Sequence, residues 1–236
     1  MSDEPERRRM VRPPSGGTEA GRGMGQKIKT ADKKSMSSQQ WIKRQLADKW
    51  SEKARAEGWR SRAAFKLIEI DDRFKLLKRG ARVIDLGCAP GGWVQIAVQR
   101  GASHVVGVDL LPVDPIGGAE MFVMDFTDPA CEPLLLDKLG GPPDVILSDM
   151  APNTMGHKKT DHTRIVLLIE QAAAFAVNVL KPGGAFATKA FQGGEMSEVI
   201  KTLKANFAVV KYVKPKASRA DSSEVYLVAT GFKGRP

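Results

Sequence analysis

The fold is decided by residues 82–92, which read RVIDLGCAPGG. Residues 82–86 form a short apolar run that encloses the charged Asp85, and a turn containing three glycines follows directly. A buried strand that ends in a glycine-rich turn is typical of doubly wound sheets, in which ligands bind beyond the carboxyl ends of the strands. The residues that end each strand are therefore the first candidates for a binding site.

Strands and helices alternate along the rest of the chain. Apolar runs predict further strands over residues 105–110, 120–124, 144–149, 185–189, 209–213 and 224–231. Helical spacing predicts helices over residues 38–56, 61–72, 93–100, 161–180 and 195–206. This alternation predicts an α/β fold with a mostly parallel seven-stranded sheet and helices on both faces. The last two strands have no helix between them, which predicts an antiparallel pair at one edge.

Positive charge is concentrated at the two ends of the chain, which carries a formal net charge of +10. Residues 1–79 contain 21 Lys and Arg against 11 Asp and Glu, residues 80–209 contain 10 against 14, and residues 210–236 contain 6 against 2. A slightly acidic body with basic ends favours a polyanionic partner such as nucleic acid. The cations expected to contact phosphates are Lys43, Arg44, Lys53, Arg60, Arg62, Lys214, Lys216 and Arg219.

Composition also predicts how the chain is organised. Residues 1–36 combine glycine, proline and charge with few bulky apolar residues, which predicts a disordered basic tail before one domain over residues 37–236. No apolar run reaches the roughly 18–20 residues that cross a bilayer, and the N-terminus lacks the apolar segment of a signal peptide. The two cysteines and three histidines show no metal-ligand spacing. We expect a cytoplasmic protein without metal or membrane attachment, and a monomer by default.

Acidic residues follow three of the predicted strands. Asp109 ends the second strand, roughly 20 positions after the glycine turn, where a carboxylate suits a contact to ribose hydroxyls. Asp125 follows the third strand, in a place to meet an adenine amino group, and Asp149 ends the fourth. This combination predicts a nucleoside cofactor. A nicotinamide dinucleotide is the alternative, but its pyrophosphate site prefers GxGxxG, whereas this turn reads GCAPGG.

Three charged residues interrupt apolar segments elsewhere. Lys189 ends the strand AFATK, Lys66 lies in the patch AAFKL, and Glu224 begins the strand EVYLV. A charge among apolar neighbours is costly unless it is paired. Any one of them alone is more often an edge residue whose charged end reaches water.

Together these segments resemble a known family. In order along the chain they are RSRAAFKL (60–67), DLGCAPGGW (85–93), DLLP (109–112), SDMAPN (148–153), KAFQG (189–193) and the region from Ser218-Arg219 to Glu224-Val225-Tyr226. The chain resembles the FtsJ/RrmJ (RlmE) family of ribosomal RNA 2′-O-methyltransferases over about residues 38–233. The resemblance implies a Rossmann-like S-adenosylmethionine-dependent methyltransferase fold. It implies a catalytic tetrad of Lys66, Asp149, Lys189 and Glu224, and cofactor contacts at Gly91, Trp93, Asp109, Asp125 and Asp149.

The resemblance also implies an activity. It is methylation of a ribose 2′-hydroxyl, on a uridine of 23S ribosomal RNA in the assembled 50S subunit. Lys189 is then the candidate base, or the group that directs the oxygen lone pair. Asp149 would hold Lys189 in place but also favours its protonated form, and the sequence does not decide which influence wins. Glu224 would orient Lys66 or the ribose.

Two other functions remain open at this point. The same chemistry could act on the ribose of transfer RNA or of an mRNA cap. Alternatively, the protein could be a non-catalytic RNA-binding factor in ribosome assembly that retains the fold.

Overall fold

The computed structural model describes residues 48–151, 158–192, 196–219 and 222–235, with the backbone alone over residues 158–162. The predicted tail over 1–36, the first part of the predicted helix 38–56, and Lys43 and Arg44 lie outside these residues. The described elements are α1 (Lys49–Ala56), α2 (Ala63–Phe74), β1 (Arg82–Leu86), α3 (Gly92–Gln99), β2 (His104–Asp109), β3 (Ala119–Val123), α4 (Cys131–Leu139), β4 (Val145–Ser148), α5 (Lys158–Val179), β5 (Ala185–Phe191), α6 (Ser197–Asn206), β6 (Phe207–Val213) and β7 (Glu224–Phe232).

All seven strands form one sheet in the order β3-β2-β1-β4-β5-β7-β6. Strands β1 to β5 pair in parallel, and β7 pairs antiparallel with both β5 and β6. The predicted α/β fold and the predicted antiparallel pair are confirmed. The chain places β7 inside the sheet, so β6 forms the edge.

Apolar residues cover both faces of the sheet, which explains why its strands read as nearly continuous apolar runs. In β1, Val83 faces the side packed against α2 and α3, where Leu67 and Ile96 are fully buried. Ile84 and Leu86 face the opposite side, which is covered by α4, α5 and α6. Both faces of the sheet are thus covered, and the carboxyl ends of the parallel strands lie together at one end of it.

Helix α4 is an element that the sequence analysis did not predict. It is nine residues long and has Pro133 in its first turn. Proline is tolerated there because the first backbone N–H groups of a helix have no partner inside it. Leu135 and Leu139, four residues apart, are fully buried against the sheet. The sequence analysis missed this helix because the segment is short, contains Pro133 and ends at Gly140, and proline and glycine are typical of loops.

Candidate active site

The site lies where β4, β5 and β7 meet at one end of the sheet. Parallel pairing sets Ser148 beside Thr188, so that the next residues, Asp149 and Lys189, are neighbours. Antiparallel pairing sets Lys189 opposite Tyr226 of β7. The strand order alone thus brings a carboxylate, an amine and a phenol together.

Lys189 is held by Asp149 at two points. Its Nζ lies 2.9 Å from the Asp149 Oδ1 and donates to the Asp149 main-chain oxygen at 2.7 Å. These two oxygens are its acceptors within the described part of the chain. An ammonium group has three donors, so one position on Lys189 remains for a further partner.

Lys66 and Glu224 form a second buried ion pair. Lys66 comes from helix α2, and its Nζ lies 2.7 Å from the Glu224 Oε1 at the start of β7. The Ser218 hydroxyl donates to the same carboxylate oxygen at 2.8 Å. Both partners are at least 85% shielded, with side-chain exposures of 9% and 15%.

Tyr226 joins the two ion pairs. The Lys66 Nζ donates to the tyrosine hydroxyl at 3.0 Å, and that hydroxyl donates to the Asp149 Oδ1 at 2.5 Å. The result is one line of contacts from Glu224 through Lys66, Tyr226 and Asp149 to Lys189. All four residues of the expected tetrad are therefore brought together.

The role of Tyr226 was missed by sequence reasoning. Its ring is fully buried, and a buried tyrosine needs a partner for its hydroxyl. The available signal was a tyrosine within the apolar run of β7, close after Glu224 in the chain. The position of Tyr226 in the site becomes evident only from the strand register, which sets it opposite Lys189.

Electrostatics fix the ionisation of two members of this line. Burial by itself raises the pKa of Asp149, but the charges of Lys189 and Lys66 and the Tyr226 hydrogen bond outweigh it, and the pKa is lowered. Burial raises the pKa of Tyr226 well above its usual value, and the charges of Asp149 and Glu224 add to this. At neutral pH Asp149 is thus a carboxylate, and Tyr226 keeps its proton.

The glycine turn follows β1 at the same end of the sheet. Gly91 precedes α3 with a φ of 106°, a conformation that L side chains rarely adopt. The Asp109 carboxylate holds the turn, since its Oδ2 accepts from the Ala89 N–H at 2.9 Å and its Oδ1 accepts from the Leu111 N–H at 2.9 Å. Asp109 thereby links the turn after β1 to the loop after β2.

Two other expected cofactor residues have clear positions. Trp93 is buried, its Nε1 donates to the Ala63 main-chain oxygen at 2.8 Å, and its ring centroid lies 5.7 Å from that of Tyr226. The Asp125 side chain is exposed and accepts from the Thr127 N–H and hydroxyl at 2.9 and 2.7 Å. These two Thr127 hydrogen bonds lower the pKa of Asp125. Its carboxylate is therefore charged and accessible.

Asp85 is a feature whose role the sequence analysis did not assign. It is 1% exposed, and neither carboxylate oxygen has a hydrogen-bond partner within the described part of the chain. Burial raises its pKa well above the usual value, and the nearby charges of Asp149 and Asp109 raise it further. A buried carboxyl group without a hydrogen-bond partner is uncommon in proteins, and it makes the end of β1 beside the glycine turn a candidate ligand contact.

Comparison with known proteins identifies the family. The sequence model of the FtsJ-like methyltransferases matches residues 59–232. The chain belongs to this family. A protein of Caulobacter sp. (strain K31) named ribosomal RNA large subunit methyltransferase E is 62% identical over 226 residues, covering 96% of this chain and 100% of that relative. A protein of the same name from Novosphingobium aromaticivorans is 55% identical over 212 residues, covering 89% of this chain and 96% of the relative.

A solved structure has a similar fold. It is described as a putative ribosomal RNA methyltransferase from Plasmodium falciparum, and it is 30% identical to this chain with a TM-score of 0.66. The match covers 75% of this chain and all of that one. The Rossmann-like methyltransferase fold expected from the sequence is thereby confirmed.

Several of the cations expected to contact RNA are engaged within this FtsJ-like methyltransferase. The Arg60 guanidinium donates to the main-chain oxygens of Pro90, Asp114 and Pro115 at 3.2, 2.6 and 2.9 Å. Arg62 contacts Asp48 and the Ala217 main-chain oxygen.

Of the other expected cations, two contact oxygens of the protein and two are described by their exposure to solvent. The Lys214 Nζ donates to the Ser222 main-chain oxygen at 2.8 Å, and the Arg219 Nε lies 3.6 Å from the Asp48 Oδ2. Lys53 and Lys216 are exposed. Their contacts to RNA stay predictions.

The described residues contain neither a membrane-spanning helix nor a metal-binding cluster. No helix among them combines the length and apolarity that a membrane span requires. No group of three His, Cys, Asp or Glu side chains there is arranged to hold a metal ion.

Proposed function

We propose that this protein transfers a methyl group from S-adenosylmethionine to the 2′-hydroxyl of a uridine in 23S ribosomal RNA, on the assembled large subunit. The observation that carries the proposal is the line Glu224–Lys66–Tyr226–Asp149–Lys189, which ends in an amine with one position left for a partner. A ribose hydroxyl is a weak nucleophile, so it needs to be oriented and to lose a proton. In this proposal Lys189 orients the hydroxyl and takes up its proton.

Each member of the line has a task in this proposal. As a neutral amine, Lys189 accepts a hydrogen bond from the sugar hydroxyl and takes up its proton as the methyl group is transferred. As an ammonium group, it only donates to the sugar oxygen and so directs its lone pair. Asp149 fixes the Lys189 amine through two contacts. Tyr226 stabilises the Asp149 carboxylate by donating a hydrogen bond, and Lys66 stabilises it by its nearby positive charge. Glu224 holds Lys66, with its second carboxylate oxygen available to the ribose. Correct placement of two reacting groups alone can contribute several kcal/mol, roughly 7–11 in ideal cases.

The residues around the glycine turn fit S-adenosylmethionine. When bound, this cofactor supplies a methyl group activated by a sulfonium charge. The unpartnered carboxyl group of Asp85 suits its cationic groups. The carboxylate of Asp109 would contact ribose hydroxyls, Asp125 an adenine amino group, and Gly91 would let the backbone approach closely. Trp93 would contribute by packing beneath the site rather than through its N–H, which is already used.

The choice of RNA rests on two supports. The relatives at 55–62% identity are named for the large ribosomal subunit, and the chain concentrates positive charge at its ends. Contacts from such cations to phosphates give affinity and salt dependence, while the site selects the sugar.

The test is to incubate the protein with methyl-labelled S-adenosylmethionine and, separately, large subunits, naked 23S rRNA, transfer RNA and capped mRNA. We expect label in large subunits above all, located on one ribose. Label in transfer RNA or cap alone would replace the proposed substrate. Absence of label in every RNA, with cofactor binding intact, would favour a non-catalytic assembly factor.

A further inference from the structure

A basic cavity lies at the opposite end of the sheet from the active site. It has a volume of about 530 Å³, and its walls come from the segment between α2 and β1, the residues before β4 and β5, and the end of β7. Ala185 lines this cavity, whereas Lys189 of the same strand lies in the active site. Four residues of β-strand separate their Cα atoms by roughly 13 Å. The two sites therefore open on different faces of the molecule.

Four cationic side chains line the cavity with one carboxylate among them. The cations are Lys75, Lys78, Arg79 and Lys181, and the carboxylate is Asp144. Asp144 already contacts Lys181 and accepts from the Arg82 N–H at 2.9 Å. Its charge is thus balanced locally and does not neutralise the remaining three cations.

The charged groups of Lys75, Lys78 and Arg79 lie on one wall of the cavity. All three are exposed, and within the described residues none of them forms an ion pair. Three exposed cations within five residues create a local positive potential, whereas the guanidinium groups of Arg60 and Arg62 are engaged by oxygens of the protein. Such an arrangement is suited to an anionic ligand that spans several charges.

We propose that this cavity binds backbone phosphates of a second segment of the ribosomal RNA, away from the segment whose ribose enters the active site. This inference rests on the proposed function, because it takes the same RNA as partner. The cavity exceeds the size of a single phosphate, and the half-buried Phe74 lies in its wall next to Lys75, with the Arg73 guanidinium 5.2 Å from its ring centroid. Cations interleaved with an aromatic side chain are typical of single-stranded nucleic-acid sites.

The test compares two triple variants that lose the same charge. The cavity variant is Lys75→Gln, Lys78→Gln and Arg79→Gln. The control is Lys138→Gln, Lys204→Gln and Lys211→Gln, at exposed positions that do not line the cavity. Glutamine keeps the aliphatic part of each side chain, and a third variant, Lys78→Arg with Arg79→Lys, keeps the charge.

Binding to 23S rRNA and to large subunits is measured without cofactor between 50 and 200 mM salt. For the cavity variant we expect the slope of log affinity against log salt to become shallower by about 2–3, since each lost phosphate contact contributes about 0.7–0.9. We expect affinity at 100 mM salt to fall at least about tenfold. The control should change the slope by less than about 1, and the charge-preserving variant should match the wild type.

Methyl transfer separates this inference from the proposed function. At saturating RNA the cavity variant should keep the wild-type kcat and show a raised KM. A wild type that binds rRNA through the cavity but methylates nothing would refute the proposed function alone. Equal losses in the cavity and control variants would overturn the cavity inference. So would wild-type binding of ATP or inorganic phosphate that the cavity variant loses while its rRNA affinity is unchanged.

Discussion

Tyr226 connects two ion pairs that would otherwise be separate, because its hydroxyl accepts from Lys66 and donates to Asp149. Each of these contacts involves a charged group, and such hydrogen bonds contribute about 1.5–3 kcal/mol. The tyrosine thus holds two cations and two carboxylates in one arrangement without adding a charge of its own.

Replacing Tyr226 by phenylalanine tests that role. Tyr226→Phe removes the hydroxyl and leaves Asp149 with fewer buried partners. We expect the free energy of unfolding, measured in urea, to fall by about 1.5–3 kcal/mol. We expect kcat to fall with little change in cofactor affinity, and by less than in Lys189→Ala. A variant with full kcat would show that the two ion pairs act independently.

Asp85 gives a prediction in the opposite direction for stability. Its pKa in the folded protein is raised, first by burial and then by Asp149 and Asp109. A group with a raised folded-state pKa favours folding below the unfolded-state value of about 4, and this contribution is lost as pH rises through the folded-state pKa. Without cofactor, Asp85→Asn should therefore be more stable than the wild type at pH 7, because the variant has no buried carboxylate to ionise. The difference should shrink towards pH 4.

The cost of Asp85→Asn should appear in binding. If the buried carboxyl group receives a cationic part of the cofactor, the variant binds S-adenosylmethionine more weakly in calorimetry, although it melts at a higher temperature. A variant that gains stability and keeps full cofactor affinity would remove Asp85 from the site.

At the scale of elements, Arg60 joins the turn after β1 to the loop after β2. Its guanidinium reaches three main-chain oxygens, one on the turn and two on the loop. A planar fork of donors makes this possible, and a lysine ammonium does not reproduce it. Arg60 is therefore a positioning residue for the glycine turn.

The prediction is that Arg60→Lys and Arg60→Gln weaken cofactor binding to a similar extent, by about three- to tenfold, since each costs one or more hydrogen bonds. Amide hydrogen exchange should become faster at residues 110–118 in both. If Arg60 instead acts through an RNA phosphate, Arg60→Lys keeps cofactor affinity and only Arg60→Gln weakens RNA binding.

The order and type of most elements could be predicted from the sequence because apolar runs and helical spacing are local signals. Helix α4 could not, since Pro133 and the flanking glycines resemble a loop until Leu135 and Leu139 are seen to pack on the sheet. The tetrad could be named by resemblance. The hydroxyl that joins it could not, because the pairing of Tyr226 with Lys189 depends on a strand register between residues far apart in the chain.

At the scale of the whole molecule, the sheet separates two tasks. One end brings together the lysine and carboxylate line and the glycine turn, and the other end presents Lys75, Lys78 and Arg79, which form no ion pair among the described residues, around a cavity. Between them lies a core that is closed on both faces. A large RNA substrate could thus be held at one face while a single sugar is positioned at another.

In the proposed reaction Lys189 acts on a sugar oxygen. The measurement is nucleoside mass spectrometry of RNA digested from large subunits after incubation with S-adenosylmethionine and the wild type, Lys189→Ala or Asp109→Ala, together with cofactor affinity for each. We predict one 2′-O-methylated nucleoside with the wild type and none with Lys189→Ala, whose cofactor affinity stays within about twofold, while Asp109→Ala loses cofactor affinity. A methyl group on a base, or full ribose methylation by Lys189→Ala, would contradict the account.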